Sequence, residues 1–535
     1  MREGWSVVRA NPVHSNPQVT PGTSLQARLA GSRAAVPAPV HQPAPAPTNA
    51  GPANPWVVAA VTPSASALVP AQTAPPAPMA LDYAAVRLIK KEVGERLTDL
   101  LRARPGLSSE AQEQQGRHLI NEQVAIWSDA EAVRRGVASS AAEDAIMAQA
   151  VFDLQFRAGR LQAHLDNPLV ENIFINRHTD VWLDFTDGRR VRVAPVAESE
   201  EELRELLRDL ARRTTGQSER SLSTADPFLA LRMSDGSRLQ AMIEVTPGAY
   251  VTIRRHSMRD ADLPELVERG MLDTTLEQFL RAAVRAEKNI MVVGGQAAGK
   301  TTLLRALLRE IDPDERFATL ETEYELFAHE NGYHRQVVPM EARESNGEVV
   351  GGVAAGEITL MDLMYRALRM TLTRIVVGEV RGPEIVAMLQ AMTNGAGGNL
   401  CTLHAIRPSV VFDRIAELYL LAQANMSEQL AYRQAANGLD FIVFVSSIDE
   451  TRIGGHRHRF LSHVLEVTGI GEGGRPETNM IFGPRPEWNE ARAVPLMLPR
   501  CINDLRRVGF DATLLNEPGG TWPTSLPLLI TEDAL

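Results

Sequence analysis

Cysteine is nearly missing: the 535 residues contain two, Cys401 and Cys501, with no CxxC partner for either. That excludes a disulfide framework and a four-cysteine zinc site, and it fits a reducing compartment. No apolar run approaches the ~18 residues that suggest a bilayer span, and the N-terminus lacks a basic-then-apolar leader pattern. The expected location is therefore cytoplasmic, with any membrane association peripheral. Basic tracts are also absent. With a formal net charge of −11, nothing advertises a nucleic-acid surface. The first 80 residues lack acids except Glu3 and hold 15 of the 33 prolines, so they bury too little surface to offset chain entropy. They read as a disordered Pro/Ala-rich tail, either a plain leader or a tether for a partner. The arginines there loosely resemble a transit peptide, but prolines this dense would break its amphipathic helix.

What is present is a chain long enough for two or three domains. From Leu81, Val86, Ile89, Val93 and Leu97 recur at helical spacing, which predicts a helical region over 81–160. Alternating segments (ENIFIN at 171–176, DVWLDF at 180–185, YVTIRR at 250–255) with a charged helix between them predict a smaller α+β domain over 161–260. From 270 to 470, buried-type strands alternate with amphipathic helices, the pattern of a three-layer α/β domain. The Gly- and Pro-rich segment 471–535 reads as an irregular extension.

The sharpest chemical signal is GGQAAGKTT: Gly294, Gly295, Gln296, Ala297, Ala298, Gly299, Lys300, Thr301 and Thr302, in the register GxxxxGK[ST]. A buried-type strand leads in and a helix-forming run leads out. Glycines let the backbone wrap a phosphate, and the N–H groups at the helix start add a concave donor site. Lys300 would place charge on the outer phosphates, and the Thr301 hydroxyl would ligate Mg²⁺. The ligands expected are therefore ATP and Mg²⁺. Two further strands end in Glu321 (FATLE) and Glu379 (RIVVGE), at the sheet edge where ligands bind. One would polarise the attacking water; the other would hold it or the metal shell. His404 ends a third strand, NLCTLHA, placed to contact the γ-phosphate or relay its loss. Arg238, Arg254, Arg255, Arg369, Arg374 and Arg381 supply candidate phosphate-binding forks, about half of them expected to be merely solvated.

These pieces together resemble the type II/IV secretion ATPase superfamily (GspE/PilT-like), in its CpaF-like branch serving Tad-type pilus assembly. The resemblance runs from Leu161 to Gly469. It is carried by NPLVENIFIN, DGSRLQAMI, VTIRR, the phosphate loop, LETEYEL, GEITLMDLMYRALRM, RIVVGEVRGPE, NGAGGNLCTLHA and EVTG. It implies a RecA-like P-loop ATPase domain preceded by a PAS-like α+β domain, assembled as a homo-hexamer that drives a secretion or pilus machine through an inner-membrane platform protein. Within it, Glu321 would be the general base. Gly378 would stand where other NTPases carry an acid, with Glu379 taking over the Mg²⁺-and-water role, and His404 would be the histidine of the His box. Arg254 or Arg255 would couple ATP to domain closure. Three positions depart from the family pattern: Thr322 replaces a second acid, Ala396 the first histidine of the His box, and Ile406 the asparagine after His404. The missing tetracysteine module makes the zinc-bearing branch a poorer match. Two other functions fit the same loop: a nucleotide-gated scaffold with little hydrolysis, and a DNA-transfer motor, against which the acidic balance counts.

Overall fold

The computed structural model describes residues 81–530 except 214–221, 225, 257, 344–348, 351–352, 355, 394, 396 and 423–425. The expected tail over 1–80 lies outside the described residues. Helix α1 (Tyr83–Ala103) buries Val86, Ile89, Val93 and Leu97 along one face, and Asp82 caps its first N–H groups. It packs on α2 (Ser109–Arg135), which stops at left-handed Gly136 (φ 72°), and on α3 (Ala141–Phe156), opened by a Ser140/Glu143 capping box. These three helices share a core of their own around Leu119, Ile120, Val151 and Phe152.

After the short α4 (Gln162–Leu165), six antiparallel strands follow: β1 (Val170–Asn176), β2 (Val181–Phe185), β3 (Arg190–Val193), β4 (Phe228–Arg232), β5 (Arg238–Met242) and β6 (Tyr250–Arg254). They are ordered β3-β2-β1-β6-β5-β4. Alternation puts Ile173, Leu239, Val251 and Ile253 inward, where α5 (Glu200–Arg213) covers them with Leu203, Leu207 and Leu210. The charged residues of α5 lie away from that core, where Glu202 and Asp209 ion-pair with Arg87 and Lys90 of α1.

The second sheet has nine strands in the order β17-β16-β15-β14-β7-β13-β12-β8-β9. Helices α6 (Leu263–Glu268) and α7 (Thr274–Arg285) precede β7 (Ile290–Gly294), α8 (Lys300–Leu308), β8 (Phe317–Glu321) and β9 (Val338–Glu341). A pair of two-residue antiparallel strands, β10 (Val349–Val350) and β11 (Val353–Ala354), is followed by α9 (Leu360–Ala367), β12 (Arg374–Val380), α10 (Glu384–Thr393) and β13 (Leu400–His404). The chain continues through α11 (Val411–Ala422), α12 (Glu428–Gly438), β14 (Phe441–Asp449), β15 (Arg457–Ile470), β16 (Pro476–Arg485), β17 (Glu490–Pro495) and α13 (Ile502–Arg507). Strands β14, β7, β13, β12, β8 and β9 are mutually parallel. Along β7, Ile290 and Val292 face α7 and α8, while Met291 and Val293 face α9 to α12. Burial on both faces explains why the strand reads as one unbroken apolar run. This is the RecA-like three-layer arrangement, extended on one side by antiparallel strands.

That extension corrects one expectation. Residues 476–495, read from composition as irregular, form β16 and β17 and bury Ile481, Phe482, Ala493 and Val494 in the main core. The glycines and prolines that obscured them sit at the turns: Gly473 and Gly474 have φ of 93° and 80°, and Pro486 begins the bend between the strands. Beyond α13 the chain returns over the core. There Thr521 N–H donates to Asp273 and Trp522 Nε1 donates to Ala493 O at 3.0 Å. Among the described residues no helix is long and apolar enough to cross a membrane.

Candidate functional site

Gly294 ends β7 where only glycine fits: a Cβ there would lie 2.3 Å from the Val445 carbonyl of β14. The loop beyond it contains Ala297 at φ 57° and turns into α8 through Gly299 at φ 104°. No side chain caps α8. Its first-turn N–H groups, from Lys300, Thr301 and Thr302, are thus left for a ligand, and the helix dipole makes an anion the preferred one. Lys300 is buried; its ammonium donates to Gly295 O at 2.9 Å and lies 3.2 Å from His404 Nδ1. Burial pushes Lys300 down to about 8, Glu379 opposes that shift, and Arg254 and Arg381 add to it. A cation held this way gains most from a polyanion, which is the fit expected of a nucleotide's phosphates.

Neighbouring strands bring the two glutamates to the same edge, since Gly294 pairs with His404 and Leu320 with Val377. Glu321, at the end of β8, is 2% exposed. Its Oε2 accepts from the N–H groups of Glu325 and Leu326, both at 2.7 Å, while Oε1 is buried with no hydrogen-bond partner. Burial pushes this carboxyl up to about 7, outweighing the two N–H donors. Gly378 makes room for it: a Cβ there would stand 3.1 Å from Glu321 Cγ.

Glu379 follows in a bulge, where three steps along β12 (Val377 to Val380) match two along β13 (Cys401 to Leu403). Thr402 Oγ1 secures the bulge by donating to Gly378 O at 2.7 Å. The carboxylate then ion-pairs with Arg381, and His404 Nε2 stands 2.7 Å from its Oε1, at ion-pair distance but without hydrogen-bond alignment. Burial raises the Glu379 carboxyl, but His404 and Arg381 overcome it and bring it to about 2. The two glutamates are therefore differentiated: one sits near neutrality with a free oxygen, and the other is held firmly ionised.

The arginines divide. Arg238, on β5, ion-pairs with both Glu323 and Glu325, so a side chain of the six-stranded sheet reaches the loop after Glu321. Arg254 lies close enough for its charge to act on Lys300, Arg305 and Glu325. Arg255 does not belong with them. It follows the last residue of β6 in extended pairing, its N–H donating to Glu171 O, so its side chain points away from that of Arg254, and its guanidinium donates instead to the carbonyls of Asn167 and Val170. Arg374 starts β12 at the far end of the strand, buried in an ion pair with Glu315, and Arg369 is exposed after α9. Ile406 is 78% exposed, and Ala396 lies outside the described residues.

Two residues were not singled out from sequence: Glu325, which receives Arg238, and Arg305, buried on α8. Arg305 reads locally as one polar position on a helix, and only the tertiary fold reveals its partners.

Residues 155–436 match a family model described as Type II/IV secretion system protein. A putative conjugal transfer protein of Mycobacterium tuberculosis is 32% identical over 285 residues, covering 51% of this chain and 77% of its own length. The type IV secretion system protein VirB11 of Brucella suis is 28% identical over 308 residues, covering 52% of this chain and 80% of its own. The crystal structure of the VirB11 ATPase from the Brucella suis type IV secretion system is 25% identical, spans 57% of this chain and 92% of that one, and superposes with a TM-score of 0.30.

Proposed function

Because the chain belongs to the type II/IV secretion system protein family, we propose that it hydrolyses ATP at the Gly294–Thr302 loop to power a secretion or pilus-assembly machine. The observation that carries this reading is the convergence of Lys300, Glu321, Glu379 and His404 on one sheet edge, around a helix N-terminus with no side-chain cap. In it, the N–H groups of the loop and Lys300 bind the phosphates. Thr301 and the ionised Glu379 would hold Mg²⁺, which would supply neutralisation of charge on the phosphates. Glu321 is the general base: its Oε2 is already satisfied twice, and its free Oε1 takes the proton of the attacking water. His404 orients Glu379 and faces Lys300, so loss of the outer phosphate changes the partners of both. Arg238 and Arg254 bring positive charge from the smaller domain, so nucleotide between the domains favours their closure.

At the finer level, the chain acts as a homo-hexamer at the cytoplasmic face of the membrane, passing its motion to a platform protein. The motifs favour a Tad-type pilus system. Domain limits near 160 and 260 belong to the same proposal. One relative is named for conjugal transfer, so a DNA-transfer motor is the second reading; the net charge of −11 weighs against direct DNA contact. Sizing the full chain with and without MgATP, alongside phosphate release, tests these readings together. ATP-dependent hexamers with turnover support the motor. Hexamers that bind ATP without turning it over replace it with a nucleotide-gated scaffold, and stimulation by DNA that salt abolishes favours transfer.

A further inference from the structure

Arg305 lies one turn beyond the phosphate loop on α8, 5% exposed, in a place that ordinarily excludes charge. Burial lowers its pKa only to about 10, so it is a cation at neutral pH. Its guanidinium spends that charge on two backbone carbonyls. Nε donates to Glu325 O at 2.6 Å and Nη1 to Met258 O at 2.9 Å, while Nη2 faces His256 Nδ1 at 3.2 Å. His256 is itself pushed down to about 3, by burial first and by Arg305 second, so it is neutral and accepts there.

Glu325 O belongs to the same peptide unit as Leu326 N–H, which donates to Glu321 Oε2 at 2.7 Å. A cation on the carbonyl end fixes the plane of that peptide and strengthens the N–H at its other end as a donor. Phe327, the next residue, is buried at φ 53° with Arg305, Arg259 and Arg232 around its ring, which pins the far side of the loop.

We infer that Arg305 is a positioning residue for Glu321, acting through the Glu325–Leu326 peptide, and that its bond to Met258 ties the segment between the two sheets to the orientation of that carboxylate. The inference rests on Glu321 being the base in ATP hydrolysis. It assigns a catalytic consequence to a side chain whose guanidinium bonds to Glu325 O, Met258 O and His256 rather than to the carboxylate itself.

Hydrolysis by the full chain would be measured for wild type, Arg305→Gln and Arg305→Lys, each alone and combined with Glu321→Gln, with a fluorescent ATP analogue reporting affinity. In the presence of Glu321, Arg305→Gln is expected to lower kcat by about ten- to a hundredfold, as misplacement of a reacting group does. Arg305→Lys, which keeps a cation and one donor, should recover part of the loss, and affinity should stay within about threefold in both. With Glu321→Gln present, the Arg305 changes should cost no more than about twofold further, because the group they position is gone. Equal losses in both backgrounds, or affinity falling in step with kcat, would show Arg305 to be structural only. If Arg305→Gln does not fold, the lysine variant carries the same comparison. Absence of turnover in wild type would instead overturn the hydrolytic reading, and the Arg305 assignment with it.

Discussion

Replacing Gly378 by alanine probes the site with a single methyl group. The glycine is not in the left-handed region, so alanine meets no backbone penalty and the effect is purely one of space. The new Cβ would stand 3.1 Å from Glu321 Cγ and 3.6 Å from its Oε2. Carbon atoms prefer a separation of about 3.5–4.0 Å, so the Glu321 side chain must yield by roughly 0.4 Å or more. It has little room to do so, being buried and held by two 2.7 Å bonds from Glu325 and Leu326. Overpacking of this kind costs about 1–3 kcal/mol of stability. The catalytic cost should be larger in proportion: displacing a base by part of an ångström corresponds to about a tenfold fall in kcat, with ATP affinity unchanged because the atoms nearest the added methyl belong to Glu321 and Leu320. Steady-state phosphate release and urea unfolding of the variant measure the two terms separately. A kcat within about twofold of wild type in a folded variant would refute the placement of Glu321 as a positioned base.

Three other outcomes follow from the same geometry. In wild type, kcat should rise with pH through an apparent pKa near 7, because the Glu321 carboxyl must be ionised to accept a proton and its burial places its titration there. A pH–rate profile without that limb would assign the base elsewhere. Gly294→Ala drives a Cβ to 2.3 Å from Val445 O, a backbone atom with no freedom to move, so the β7–β14 pairing should fail and the protein lose stability by thermal melt even before nucleotide is tested. Arg374→Met leaves Glu315 without its buried partner and should cost about 3–5 kcal/mol in chemical denaturation. ATP affinity, read with a fluorescent analogue, should be retained, since that ion pair lies at the opposite end of the sheet.

How much of this was legible in the sequence depended on whether the information was local. The phosphate loop was: strand, glycines, lysine and helix are contiguous, and Gly294 and Gly299 occupy positions whose backbone demands follow from the motif itself. Glu321, Glu379 and His404 were legible one step removed, because a parallel sheet carries the ends of separate strands to one edge. Arg255 misled for an equally simple reason. It is adjacent to Arg254 in sequence, but neighbours along a strand face opposite ways, and deciding which of the pair reaches the site needs the pleat register that pairs Arg254 with Asn172 and Arg238. Arg305 was not legible at all, since its meaning lies in Glu325 O and Met258 O, which only folding brings to it. Strands β16 and β17 were hidden by composition: averaging over 471–535 mixed turn glycines and prolines with the buried Ile481 and Phe482 between them.

The most direct test separates binding from turnover in one experiment. The full chain, Lys300→Ala, Glu321→Gln and Glu379→Gln would each be titrated with a fluorescent ATP analogue and assayed for Mg²⁺-dependent phosphate release. Binding lost only in Lys300→Ala, with turnover cut to a small measurable residual in all three, is the expected pattern, since in the proposed mechanism the lysine holds phosphate while the carboxylates serve the reaction. Turnover close to the wild-type rate when either carboxylate is neutralised, or when Lys300 is lost, would contradict the assignment of this loop and strand edge as the hydrolytic site.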